Sequence, residues 1–217
     1  MSTFCRSLEC SLPNKTEKNV KILQKSKGNV SCVVWDSSLV AWKYFEKCSQ
    51  NNPNILKNKS VLELGAGTGI CSIMLSLFGA KVYCTDLPEC LSLINDNIAE
   101  NNEVLKDCST PTVAELRWGK TSPKLKTDQK FDIILAVDAL YYEESLEPLI
   151  HTLMEYSTSQ SFIYIFYEIR DIGKPKEVQE KFFKLAENYF KITQIPVDDF
   201  SCDFASFDIP GFILRRR

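Results

Sequence analysis

The sequence has little histidine, no closely paired cysteines and no long apolar run. His151 is the only histidine among 217 residues, which argues against hydrolases built on Ser–His or Cys–His pairs. Nine cysteines are present, but no two form a Cys-x-x-Cys pair. A structural zinc site needs paired ligands at short spacing and is therefore disfavoured. We expect reduced, structural thiols and no bound metal.

Other shortages exclude classes of partner. The formal net charge is only −2 and the sequence has no basic stripe, so nothing predicts nucleic-acid binding. No apolar run approaches the ~20 residues that span a bilayer, which argues against a membrane protein. The first ten residues, MSTFCRSLEC, contain no apolar signal core. We expect a soluble monomer of the cytoplasm, with the nucleus as a second location.

Short apolar strands and amphipathic helices alternate along most of the chain. The nearly all-apolar run from Phe131 to Val137 is typical of a strand that is buried on both faces. The alternation predicts βαβ units and an α/β fold, a parallel, doubly wound, Rossmann-like sheet of seven strands. We place this domain at residues 30–217. Residues 1–29 form an N-terminal extension, in which VKILQKS is a candidate short strand.

The most informative stretch is VLELGAGTG, an apolar strand followed by a glycine loop. Gly65, Gly67 and Gly69 allow a sharp turn and a close approach of the backbone to a ligand. The spacing lacks the lysine of a P-loop and the third glycine of the dinucleotide pattern. Glu63, just before the loop, is unfavourable beside a pyrophosphate and favourable beside a cation.

Asp86 closes the second strand of the predicted sheet. In open α/β sheets ligands bind at the carboxyl ends of the strands, where an acid can accept hydrogen bonds from both hydroxyls of a ribose. The ligand should therefore carry a ribose and a positive group but no phosphate, and S-adenosylmethionine meets these conditions. The alternative is a loop that only turns the chain, with Asp86 as a cap before Pro88.

VLELGAGTG resembles the first motif of the seven-strand methyltransferases. VVWDSSLVAWKYFE, LRWG, VDALYYEESLEPL and YEIRDIGK resemble the protein-lysine methyltransferases of that fold, over roughly residues 30–200. The resemblance implies transfer of methyl groups from S-adenosylmethionine to lysine, with the valosin-containing AAA ATPase as the expected protein substrate. It also implies cofactor contacts at Trp35, Gly65, Ala66, Gly67, Asp86, Trp118 and Val137.

The two tryptophans in that set have a physical rationale. Trp35 and Trp118 offer flat apolar faces to an adenine or to a methionine chain. The alternative for either residue is plain core packing, which is what we expect of Trp42.

The resemblance places the reacting end at VDALYY, where the family's D-x-x-Y motif maps onto Asp138 and Tyr141. Methylation needs a neutral amine, whereas free lysine has a pKa of ~10.4. Asp138 can orient the entering ammonium, and the Tyr141 hydroxyl can accept a hydrogen bond from it. Tyr142, Tyr167 and Trp35 can supply aromatic walls for the nitrogen, with Glu168 nearby. The alternatives are that Asp138 caps the following helix and that Tyr141 packs.

The substrate is the least specified part of this hypothesis. Another chaperone such as an Hsp70, an RNA or a small molecule are alternative methyl acceptors, and a non-catalytic adaptor that binds S-adenosylmethionine is an alternative outside enzymes. The sequence pI of about 5.6 disfavours RNA, and the intact glycine loop and DALY disfavour the adaptor. The two chain ends match the family least, so either end could contact a protein substrate.

Overall fold

A β-hairpin opens the fold. The computed structural model describes residues 2–26, 30–126, 128–170 and 175–217. Strand β1 (Thr3–Ser11) pairs antiparallel with β2 (Glu17–Lys25). The side chain of Asn97 closes the outer edge of β2, accepting from the Leu23 N–H at 2.6 Å and donating to the Leu23 carbonyl at 3.1 Å. The sequence predicted a single short strand here, and the structure has two strands of nine residues each.

The remaining strands form one seven-stranded sheet. They are β3 (Ser60–Leu64), β4 (Lys81–Asp86), β5 (Thr112–Glu115), β6 (Ile133–Val137), β7 (Phe162–Phe166), β8 (Phe190–Gln194) and β9 (Gly211–Arg216). Their spatial order is β5-β4-β3-β6-β7-β9-β8. Strand β9 runs antiparallel to both of its neighbours, so the prediction of a fully parallel sheet is wrong at this edge. Parallel neighbours need a long crossover, usually helical, and a 3₁₀ turn at Val197–Asp199 is the only helical segment between β8 and β9.

Helices cover both faces of the sheet. They are α1 (Asp36–Asn51), α2 (Ile70–Leu77), α3 (Leu91–Glu100), α4 (Asn102–Leu105), α5 (Leu146–Tyr156) and α6 (Pro175–Ala186). The first four pack on one face together with the hairpin, and the last two pack on the other. Side chains of β6 alternate between the two cores, with Leu135 on the α1 side and Ile134 on the α5 side. Trp42 is fully buried, which confirms its predicted place in the core.

The order of the strands creates a crevice at the centre of the sheet. From β3 the chain moves outward through β4 and β5, then crosses back to β6 and continues in the opposite direction. Such a reversal leaves a ligand-binding crevice at the carboxyl ends of the strands. The loops that follow β3, β4, β6 and β7 therefore converge on one place.

Candidate active site

A cleft of about 590 Å³ opens at this crevice, within the ~300–1,000 Å³ typical of small-molecule sites. Ten residues that the sequence predicted as site residues line it: Trp35, Gly65, Ala66, Gly67, Asp86, Trp118, Val137, Asp138, Tyr141 and Tyr142. Three other predicted residues, Glu63, Tyr167 and Glu168, are not among the lining residues.

The glycine loop is fastened to the end of β4 by its backbone. The N–H groups of Gly65 and Ala66 both donate to the Thr85 carbonyl at 3.0 Å. Gly65 at φ 70° and Gly67 at φ 58° adopt the left-handed conformation that residues with a Cβ rarely take. A Cβ on Gly67 would also lie 3.2 Å from the Ser31 carbonyl oxygen. Glycine is thus needed both for the turn and for the close approach of the segment before α1.

Asp86 joins the glycine loop to β4. Its Oδ2 accepts from the Gly67 N–H at 2.7 Å, and its Oδ1 accepts from the Leu87 N–H at 2.7 Å. Each carboxylate oxygen retains a second acceptor position, so this cleft-lining acid can still bind ribose hydroxyls. The indole of Trp118 lies beside Gly65, where a Cβ would come within 3.3 Å of the ring. The cleft therefore combines an acid with a flat apolar wall, as an adenosine requires.

Glu63 lies behind the loop rather than in the cleft. It is buried and accepts a short hydrogen bond from the Ser72 hydroxyl of α2. Its backbone carbonyl accepts from the Thr85 hydroxyl at 2.5 Å. Burial raises the pKa of Glu63 to about 7, so the carboxyl is partly protonated at neutral pH. The structure thus does not support the expected full charge beside the ligand, because the carboxyl is buried behind the loop and the hydrogen bond from Ser72 only partly offsets the effect of burial on its pKa.

Asp138 is held at the cleft by its backbone and by its buried neighbours. Its N–H donates to the Phe166 carbonyl at 2.8 Å, one residue beyond the paired part of β6 and β7. It adopts φ 52°, in the left-handed region. The next two residues, Ala139 and Leu140, are buried in the core beneath α5. They anchor the loop, which leaves Asp138 and Tyr141 facing the cleft.

Arg170 binds the Asp138 carboxylate. Its Nη2 lies 2.5 Å from Asp138 Oδ2 and 3.0 Å from Glu168 Oε2, and its Nε donates to Glu168 Oε2 at 3.2 Å. The guanidinium also lies 4.8 Å from the centroid of the Trp35 ring. Burial raises the pKa of Asp138 above its usual range, and the Arg170 charge opposes that shift. Arg170 was not among the predicted site residues, although an arginine two residues after Glu168, just beyond a strand, is typical of an ion pair at the end of a sheet.

The two tyrosines of VDALYY remain accessible at the mouth of the cleft. Tyr141 is 39% exposed and Tyr142 is 55% exposed, and their rings meet edge to face at 4.6 Å. Burial, with a smaller contribution from the nearby Asp86, raises the pKa of Tyr141 to about 12. Its hydroxyl therefore stays protonated near neutral pH and can accept or donate a hydrogen bond.

Tyr167 occupies another place than the sequence predicted, whereas Glu168 lies near Asp138 without lining the cleft. Tyr167 is buried on the α6 side of the sheet and stacks on Phe212 with ring centroids 5.9 Å apart. It cannot form a wall of the cleft in this position, because successive residues along an extended chain point to opposite faces. Glu168 lies next to the site, where its carboxylate pairs with Arg170 and its N–H approaches Asp138 Oδ1 at 3.4 Å.

Other kinds of site find no support in the described part of the chain. Within those residues no group of three or more His, Cys, Asp or Glu side chains could hold a metal ion, and none of the nine cysteines, all of which lie in the described ranges, forms a disulfide. His151 lies exposed on α5, outside the cleft lining. None of the helices in these ranges is both long and apolar enough to cross a membrane.

The groups present in the cleft fit S-adenosylmethionine. Asp86 can bind its ribose, Trp118 can cover its adenine, and the glycine loop lets the ligand approach the backbone. The acidic residue Asp138 also lines the cleft, where a cationic group would be favoured.

The chain is similar to known methyltransferases in sequence. A family model described as lysine methyltransferase matches residues 14–189. Protein N-lysine methyltransferase METTL21A of Xenopus tropicalis is 32% identical over 182 residues, covering 83% of this chain and 78% of that protein. EEF1A lysine methyltransferase 3 of Xenopus tropicalis is 36% identical over 141 residues, covering 65% of this chain and 59% of that protein.

A solved structure supports the fold. The magnesium protoporphyrin IX methyltransferase of Synechocystis PCC 6803, crystallised with S-adenosylmethionine, superposes with a TM-score of 0.55 at 21% identity. The match covers 84% of this chain and 78% of that one. At this level of identity the likeness shows a shared fold and nothing about the methyl acceptor.

Proposed function

The chain belongs to the lysine methyltransferase family and is an S-adenosylmethionine-dependent protein-lysine N-methyltransferase, and from that premise we propose that Asp138 and Tyr141 receive the target lysine and that the substrate is the valosin-containing AAA ATPase. The observation that carries the first part is the position of the Asp138 carboxylate and the Tyr141 side chain, both of which line the cleft. The second part rests on the resemblance of VDALYYEESLEPL and YEIRDIGK.

The roles of the residues follow from their chemistry. S-adenosylmethionine, when bound, supplies an activated methyl group on a sulfonium. Asp138 attracts the lysine ammonium to the mouth and orients its Nζ. The neutral Tyr141 hydroxyl accepts a hydrogen bond from the nitrogen. The ammonium must lose a proton before it can act as a nucleophile, and the exposed mouth lets that proton leave to water. Most of the acceleration then comes from positioning.

A second substrate is favoured by one comparison. The name of EEF1A lysine methyltransferase 3 assigns EEF1A to that relative, and the likeness spans 141 residues. We therefore propose EEF1A as the second candidate acceptor, ahead of an Hsp70 chaperone.

A substrate panel tests the proposal. The pure protein is incubated with S-adenosylmethionine labelled in the methyl group and with recombinant valosin-containing ATPase, EEF1A or Hsp70 in separate reactions. We expect methyl-lysine in the ATPase and none with Asp138→Asn. Label in EEF1A alone would replace the proposed substrate, and full turnover by Asp138→Asn with unchanged cofactor affinity would refute the role of Asp138.

We also propose that the enzyme works as a monomer in the cytoplasm or nucleus. Elution in size-exclusion chromatography at the mass of one 24.8 kDa chain tests the first part. Fractionation of cells that express a tagged chain tests the second.

A further inference from the structure

Arg170 lines the cleft and pairs with Asp138, but the proposed mechanism gives it no role. We propose that Arg170 is a positioning residue for methyl transfer, which fixes the Asp138 carboxylate so that one of its oxygens faces the lysine. This inference rests on the role proposed above for Asp138, and it adds a second residue whose effect on that role is measurable.

The contacts of Asp138 divide its two oxygens. Oδ2 lies 2.5 Å from Arg170 Nη2, within a strong charge-assisted pair. Oδ1 accepts only a long contact of 3.4 Å from the Glu168 N–H. Because Oδ2 is held in a strong ion pair and Oδ1 is only weakly bound, the carboxylate is oriented before any substrate arrives. An ammonium entering the mouth would find Oδ1 as the less engaged acceptor.

The shape of the arginine side chain matters as much as its charge. The planar guanidinium binds Asp138 and Glu168 through its edge while its face covers Trp35. It thereby joins the loop after β7 to the loop after β6 and to the residue before α1. A lysine at this position would keep the positive charge but could not combine a forked pairing with planar stacking.

The charges of the cluster add up to a single negative charge. Asp138 and Glu168 each contribute −1 when ionised, and Arg170 contributes +1. One negative charge matches the single positive charge of a lysine ammonium. Without Arg170 the cluster would carry two carboxylates side by side, and desolvation and mutual repulsion would favour protonation of Asp138.

The ionisation of Asp138 depends on the groups around it. Arg170 and Glu168 face Asp138 from the loop after β7, and Tyr141 adjoins it from its own loop. The pKa of Tyr141 is in turn raised by burial and, to a smaller extent, by Asp86, Tyr142 and Cys90. Arg170 is the cation among these groups and lowers the pKa of Asp138. Removal of Arg170 therefore raises the pKa of Asp138. As the pH is lowered, activity that needs the ionised Asp138 then begins to fall at a higher pH than in the wild type.

Kinetics with three variants test the inference. Arg170→Gln removes the charge, Arg170→Lys keeps it without the fork, and Arg215→Gln is the matched control. Arg215 also stacks on an aromatic ring, Phe162, at 3.9 Å, and it hydrogen-bonds a backbone carbonyl at the opposite end of β7. We measure kcat as a function of pH and the S-adenosylmethionine Kd by calorimetry, with the protein acceptor identified by the panel above.

The expected results separate charge from shape. Arg170→Gln should lower kcat by ~100-fold, as for a misplaced catalytic group, and move the acid limb of its pH profile to higher pH. Arg170→Lys should keep the wild-type acid limb while kcat still falls. The cofactor Kd should change less than about twofold in all variants. A wild-type kcat and acid limb in Arg170→Gln would overturn the inference.

A measurement without substrate separates this inference from the proposed function. The ¹³C resonance of the Asp138 carboxyl, assigned by its loss in Asp138→Asn, is titrated in the free protein. Its pKa should rise in Arg170→Gln but not in Arg215→Gln. An unchanged pKa overturns the inference whatever the substrate. A raised pKa together with full turnover by Asp138→Asn overturns the proposed function and, with it, the positioning role.

Discussion

The two halves of the cleft are held by different kinds of bond. The cofactor half, made of Gly65–Gly67, Asp86 and Trp118, is fastened by backbone N–H groups that donate to Thr85 and Asp86. In the acceptor half, made of Asp138, Tyr141 and Arg170, a backbone bond to the Phe166 carbonyl also holds the loop, but the Asp138 carboxylate itself is held by an ion pair with Arg170. Backbone hydrogen bonds at the end of a strand hold a loop in place regardless of the ligand. An ion pair positions one carboxylate, and its strength changes with nearby charges and with pH.

This difference assigns separate consequences to the two halves. Changes in the cofactor half should act on the affinity for S-adenosylmethionine, because we propose that its groups bind the ribose and the adenine. Changes in the acceptor half should act on turnover, because we propose that its groups bind the methyl acceptor. Each prediction below challenges that division, from the largest effect to the smallest.

Asp138→Asn should have the largest effect. Asparagine keeps the size of the side chain and tolerates the left-handed backbone at this position, but it has lost the charge that orients the ammonium. We expect kcat to fall by ~100-fold or more, with the cofactor Kd unchanged. Stopped-time methylation assays and calorimetry measure the two quantities. A weakened cofactor affinity with a normal kcat would contradict the assignment of Asp138 to the acceptor half.

Asp86→Asn should have the converse effect. The Gly67 and Leu87 N–H groups each bind one carboxylate oxygen, and an amide offers only one acceptor for the two. The neutral amide also binds the ribose hydroxyls less strongly, and the loss of one charge-assisted bond to the ribose costs ~1.5–3 kcal/mol, so we expect the cofactor Kd to rise ~10–100-fold. At saturating cofactor, kcat should stay within a few-fold of wild type. Calorimetry with S-adenosylhomocysteine provides an independent control, since the ribose is the same.

Trp118→Ala should weaken cofactor binding less. Removal of an aromatic ring that stacks on a base typically costs ~1–3 kcal/mol, and we expect the cofactor Kd to rise by ~10-fold. Trp118→Phe keeps a flat face and should recover most of the affinity. Equal losses in both variants would mean that Trp118 does not stack on the adenine.

Glu63→Gln should have the smallest effect, on stability alone. Burial raises the pKa of Glu63 to about 7 in the folded protein, from the 4.5 of a solvated glutamate. A raised carboxyl pKa stabilises the fold below the unfolded value, and this contribution is lost as the pH rises through about 7. Between pH 6 and 8 the wild type should lose ~1 kcal/mol more of its unfolding free energy than Glu63→Gln. Urea unfolding at both pH values measures this, and parallel curves would show that Glu63 stays ionised.

The cofactor half was largely predictable from the sequence because its residues follow consecutive strands. The glycine spacing and Asp86 at the end of a strand define a loop and an acid whose meeting is dictated by parallel pairing of β3 with β4. Glu63 was predicted to place a charge beside the ligand, but it is buried behind the loop. Its apolar surroundings in VLEL resemble a buried strand, and a buried carboxyl next to α2 binds the nearest hydroxyl.

The acceptor half was less predictable because its contacts join distant residues. Asp138 and Arg170 are 32 positions apart, and their meeting depends on the register that pairs Val137 with Phe166. The position of Tyr167 could have been predicted from the alternation of side chains along a strand. Phe166 packs toward α1, so its neighbour Tyr167 packs toward α6.

The first and last strands show two further limits. In β1 only Cys10 is buried, so the apolar alternation that reveals a strand is weak. The residues of β9 do not predict whether the strand runs parallel or antiparallel to its neighbours. It follows from the connection that precedes it, where the sequence has no crossover helix.

A crystal structure of the protein with S-adenosylhomocysteine tests the division of the cleft most directly. The account predicts ribose hydroxyls within hydrogen-bond distance of Asp86, the adenine against Trp118, and the sulfur directed toward the gap between Asp138 and Tyr141. A ligand bound with its sulfur turned away from Asp138, or with its ribose distant from Asp86, would contradict it.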